Sequence, residues 1–71
     1  MAESVMAPLV GKVLEVLCQV GDLVKEDQII LLLEAMKMEV PVFAPVAGSI
    51  QEIKVSPGQT VESDTVLVVI R

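Results

Sequence analysis

The chain contains no histidine, tryptophan or tyrosine, and only one phenylalanine (Phe43) and one cysteine (Cys18), in 71 residues. Each scarcity excludes something. Without histidine there is no zinc-ligand spacing, and the lone cysteine has no histidine base to make it a catalytic nucleophile. One cysteine cannot close an internal disulfide. A chain this short removes only about 60% of its unfolded surface from water, so burial alone has to hold it. Cys18 also fits a reducing compartment. The five Lys and Arg are scattered, the formal charge is −5, and no aromatic platform exists on which bases could stack. Nucleic-acid binding is excluded on both counts. No unbroken run of aliphatic residues, Met, Phe or Ala exceeds five residues, the length of Ile29 to Leu33, against the roughly 20 that a spanning helix needs. Glu3 stands where a signal peptide would be basic. The reading is a soluble, cytoplasmic domain with no membrane insertion.

What the chain does have is aliphatic residues: hydrophobic side chains make up 54% of it, with Val and Ile prominent. That composition suits pleated, half-buried strands better than helices. The chain also repeats itself. Shifted by 37 positions, Val5–Glu34 lies on Val42–Arg71 without a gap. Identical pairs include Ala7 with Ala44, Pro8 with Pro45, Gly11 with Gly48, Gly21 with Gly58 and Asp27 with Asp64. Each half reads as four short strands. Pro8 and Pro45 end or edge the first strand of their half. The second strand predicts strict alternation, with Val13, Glu15 and Leu17 on one face and Leu14, Val16 and Cys18 on the other. Ile50, Glu52 and Lys54 alternate with Gln51, Ile53 and Val55 in the same way. "SPGQ", Ser56 to Gln59, has Pro then Gly at the centre of a type II turn, and "QVGD" keeps Gly21 in register. Eight strands in two equal halves predict an all-β fold: a small flattened barrel or sandwich of two four-stranded antiparallel sheets related by a pseudo-twofold axis. The domain is expected to span residues 1–71, with repeats 5–34 and 42–71 and a seam at 35–41.

The seam holds "EAMKM", Glu34 to Met38, and places Lys37 at or beside a tight hairpin tip. Strand alternation turns one of Met36 and Met38 inward, to fill the core, and the other outward. The pseudo-twofold maps the seam onto the two chain ends, so Lys37 is expected at the opposite pole from them. Cys18 matches Val55 in the repeat and is expected to be buried.

"EAMKM" in a duplicated β-domain, with "APLVGKV" before it and "PGQTVESDTVLVVI" after it, resembles the biotinyl domain of biotin-dependent carboxylases and decarboxylases, across essentially the whole chain. The resemblance implies that Lys37 is acylated with biotin by a biotin protein ligase. Glu34, Ala35, Met36, Met38 and Glu39 would be the flanking positions that the ligase or partners recognise. It further implies a non-catalytic carrier, monomeric as an isolated domain. Such a carrier shuttles a carboxyl group between biotin carboxylase and carboxyltransferase, or decarboxylase, subunits or domains. Its compartment would be the cytoplasm, or the mitochondrial matrix for a domain of a eukaryotic carboxylase. Val40 departs from the Asn or Thr common in the family, which clouds the parent enzyme. The gapless repeat leaves no room for the protruding insertion of some bacterial acetyl-CoA carboxylase carriers. Two alternatives stay open: a lipoyl carrier, whose lysine stands after Asp and before Ala, and an unmodified structural module of the same fold.

Overall fold

A computed structural model describes residues 2–71; Met1, the first residue of the expected domain, lies outside the described residues. The chain forms β1 (Glu3–Met6), β2 (Gly11–Val16), β3 (Leu23–Val24), β4 (Ile29–Ala35), β5 (Met38–Phe43), β6 (Gly48–Ile53), β7 (Thr60–Val61) and β8 (Val66–Ile70). The strands make two four-stranded sheets, ordered β1-β8-β6-β3 and β5-β4-β2-β7, and every pairing is antiparallel. Shifting strand numbers by four (β1 to β5, β8 to β4, β6 to β2, β3 to β7) turns the first sheet into the second. The sequence repeat is therefore a structural one that exchanges the two sheets, as expected.

The core obeys the same operation. Its buried cluster in the first half is Val5, Ala7, Val13, Cys18, Val24, Ile30, Leu31 and Leu33. The residue 37 positions after each of these is buried too, from Val42 for Val5 to Ile70 for Leu33. Cys18 and Val55 are both buried, at 6% exposure. The turns follow suit. Gln59 N–H donates to the Ser56 carbonyl and Asp22 N–H to the Gln19 carbonyl, and Gly58 and Gly21 take φ of 90° and 97°. Positive φ at the third residue is the type II requirement. Asp27 and Asp64 also match, with φ of 69° and 74°.

Strict alternation along the second strand of each half does not hold. Val13 and Ile50 are buried, but the next two residues, Leu14–Glu15 and Gln51–Glu52, are both exposed before Val16 and Ile53 turn back inward. The cause is a β-bulge in each half, between Val13 and Glu15 and between Ile50 and Glu52. A bulge inserts one residue opposite none, so the faces exchange beyond it. That exchange is what turns Cys18 and Val55 inward in phase with Val13 and Ile50.

Edge strands are kept short or spoiled. β3 and β7 are two residues each, and the edge strand β5 carries Pro41 opposite Leu32. Proline offers no donor to an incoming strand, and two residues offer little to pair with.

Candidate functional site

The β4–β5 hairpin ends in a two-residue loop. Ala35 pairs with Met38 across the strands, leaving Met36 and Lys37 as the loop. Both take left-handed backbone, with φ of 53° and 65°. Positive φ at both central residues marks the type I′ hairpin turn, whose twist matches that of the flanking strands. Such turns ordinarily use Asn-Gly. Two residues with full side chains instead hold the left-handed conformation here, at about 1–2 kcal/mol each. Strand pairing on both sides imposes it, with β4 held between β5 and β2.

Exposure does not distinguish Lys37, because Lys12, Lys25 and Lys54 are exposed as well. Position does. Lys12 lies within β2, Lys25 directly follows β3 and Lys54 directly follows β6. Lys54 is also tied to Glu52, Nζ to Oε1, at 3.3 Å. Among the described residues no ion pair holds the Lys37 amine.

Both methionines project outward: Met36 is 91% exposed and Met38 67%. This corrects the expectation that one would fill the core. Met36 is in the turn, where strand alternation does not apply. Met38 has the inward parity of Val40 and Val42, but it sits beyond the end of the core, opposite the small Ala35. Ala35 is the buried member of the motif, at 7%.

Glu34 and Glu39 are paired one step behind the tip, both exposed. Like charges directly opposite destabilise a ladder. Lys12 pairs with Glu34 on its other side, so the row across the outer face runs Lys12, Glu34, Glu39. The structure thus brings all six expected site residues to one end of one hairpin. Two contributors were not singled out from sequence. Lys12 needed the β2–β4 register to be placed. Gly11 needed coordinates: a Cβ there would come 2.7 Å from the Glu34 carbonyl oxygen, so β2 reaches the base of the tip only as glycine.

The operation that carries β4 and β5 onto β8 and β1 carries the Leu33–Val40 pair onto Ile70–Glu3. The tip therefore has the two chain ends as its counterpart, in the other sheet.

Comparison with known proteins agrees with this geometry. Biotinylated protein TB7.3 of Mycobacterium tuberculosis is 50% identical over 42 residues, which is 59% of this chain and 59% of that protein. The biotin carboxyl carrier protein of Streptococcus mutans is 53% identical over 38 residues, 54% of this chain and 29% of that one. Among solved structures, the urea carboxylase of Kluyveromyces lactis contains a domain that superposes on 100% of this chain with a TM-score of 0.95 at 30% identity, and occupies 6% of that protein. The matched segments are thus well short of the relatives' own lengths. The family model described as "Biotin-requiring enzyme" runs from residue 3 to residue 70, from the first strand to the last, and on that match the chain belongs to this family.

Proposed function

We propose that Lys37 is the biotin acceptor of a carboxyl carrier domain, and that a biotin protein ligase acylates its side-chain amine. The observation that carries this reading is the tip itself. Lys37 is a central residue of a two-residue loop, exposed and free of any ion pair among the described residues. The donor chemistry fits, since an amide to biotin needs one accessible primary amine. The ammonium of a resting lysine has no lone pair with which to attack. The ligase therefore supplies both the activated biotin and the base, and the domain supplies placement. Glu34, Met36, Met38 and Glu39 form the exposed surround that a ligase or partner meets, and Ala35 seats the turn on the body.

The domain itself does no chemistry in this reading. Among the described residues no group of three or more His, Cys, Asp and Glu could hold a metal ion, and Cys18 is buried. Bound biotin carries a carboxyl group. The chain tethers it at the end of a rigid hairpin, which raises its effective concentration at each partner site. Those partners would be carboxylase and carboxyltransferase, or decarboxylase, subunits or domains, in the cytoplasm or a mitochondrial matrix.

The test treats wild type and Lys37→Arg with ligase, ATP and biotin, followed by streptavidin detection. Signal should appear in the wild type only. A parallel reaction with lipoate and a lipoate ligase should leave the wild type essentially unmodified. Persistent streptavidin signal in Lys37→Arg, or ready lipoylation, would overturn the assignment.

A further inference from the structure

We propose that Met36 and Met38 are a reversible oxidation site that controls acylation of Lys37; this rests on the reading of Lys37 as the biotin acceptor. The described residues hold four sulfur atoms, in Met6, Cys18, Met36 and Met38. Their exposures differ sharply. Met36 is 91% exposed and Met38 67%, against 50% for Met6. Cys18, ordinarily the sulfur most reactive toward peroxide, is 6% exposed. Burial first, and the negative charge of Asp22 second, push its thiol pKa up. The thiolate is the reactive form, so the competing sulfur is both shielded and protonated. Among the described sulfurs, a peroxide arriving from solvent therefore meets the two methionines beside Lys37 first.

The step is a two-electron oxygen transfer. The thioether sulfur forms an S–O bond as the peroxide O–O bond breaks. The proton on the transferred oxygen passes to the departing hydroxide, which leaves as water. The product sulfoxide is polar and chiral, and methionine sulfoxide reductases return it to the thioether. Oxidation of a core methionine would disrupt the fold. Here neither side chain belongs to the core cluster, so the change is confined to the surround of Lys37. What was an apolar flank on each side of the amine becomes a strong hydrogen-bond acceptor. A ligase surface that closes over two thioethers must then bury two sulfoxide oxygens with no partner.

The test uses the full chain, unmodified. It is treated with hydrogen peroxide, freed of oxidant, mapped by peptide mass spectrometry and then given ligase, ATP and biotin. Met36 and Met38 should oxidise before Met6, with unchanged circular dichroism. The initial rate of biotin incorporation should fall about fivefold or more, the least expected for burying an uncompensated polar oxygen. Methionine sulfoxide reductases of both epimer specificities should restore it. Met6→Leu should be equally sensitive. An unchanged rate with both methionines oxidised would overturn the proposal, and so would a rate loss that tracks unfolding or that vanishes in Met6→Leu. If untreated protein takes up no biotin, the acceptor assignment fails and this inference with it; normal uptake that ignores oxidation removes this inference alone.

Discussion

Lys37 sits in a backbone conformation that lysine disfavours. Its φ of 65°, next to 53° at Met36, belongs to the region where glycine carries no Cβ penalty. Lys37→Gly should therefore be more stable than Lys37→Ala by about 1 kcal/mol, although glycine is ordinarily the weaker residue in a hairpin. Urea midpoints of the two variants decide this, and equal midpoints would mean that the turn is not left-handed at residue 37. Neither variant can be acylated there. A similar opposition is expected at Glu39. Facing Glu34, it repels, and Glu39→Lys should raise stability by roughly 0.2–1 kcal/mol. The same change should slow biotinylation by the ligase, because it reverses the charge beside the tip. A variant whose stability and modification rate rise together would remove Glu39 from the recognition surface. The positions of these residues could be read from the motif and the repeat. Their backbone could not, because Met-Lys is a poor sequence signal for a type I′ turn. Strand pairing on both sides imposes the conformation that local preference opposes. For the same reason Met36 escaped the alternation expected of it.

The strands themselves were largely evident in the sequence. Each half carries the same turn glycine, the same Ala-Pro and the same apolar last strand, and all eight strands fall where the repeat implies. The bulges were not evident. Leu14 is apolar yet exposed while Glu15 beside it is exposed as well, and an inserted residue is invisible to a period of two. A turn glycine and a strand glycine differ in kind. Gly58 needs its positive φ, and nothing lies within 4 Å of a Cβ placed on it. Gly58→Ala should therefore lose about 1 kcal/mol from backbone strain alone. Gly11 has ordinary φ but abuts the Glu34 carbonyl at 2.7 Å. Gly11→Ala should lose more, about 1–3 kcal/mol, because β2 and β4 must separate. Denaturant melts of the two variants order them, and the reverse order would contradict the close approach at Gly11. Moving the amine along the hairpin tests the turn as a unit. Exchanging residues 37 and 38 puts lysine at a position with the inward parity of Val40. The exchanged chain should fold, by circular dichroism, and lose most of its biotinylation. A near-normal rate would mean that exposure suffices and hairpin geometry does not matter.

The molecule as a whole is two copies of one four-strand unit, folded so that each copy contributes its first and third strands to one sheet and its second and fourth to the other. The symmetry is closest in the buried cluster and looser on the surface. Leu14, Leu17 and Leu23 are exposed where the second half has Gln51, Lys54 and Thr60. A duplicated core sets two equivalent poles, and the seam makes only one of them a closed hairpin. That is why a lysine at the seam is placed differently from Lys12, Lys25 and Lys54, although all four meet solvent. Co-expression with a biotin protein ligase, followed by intact mass and peptide mapping, tests this most directly. One biotin per chain, carried on Lys37 alone, is the expected result. An unmodified chain, or biotin on any lysine of the repeat body, would contradict it.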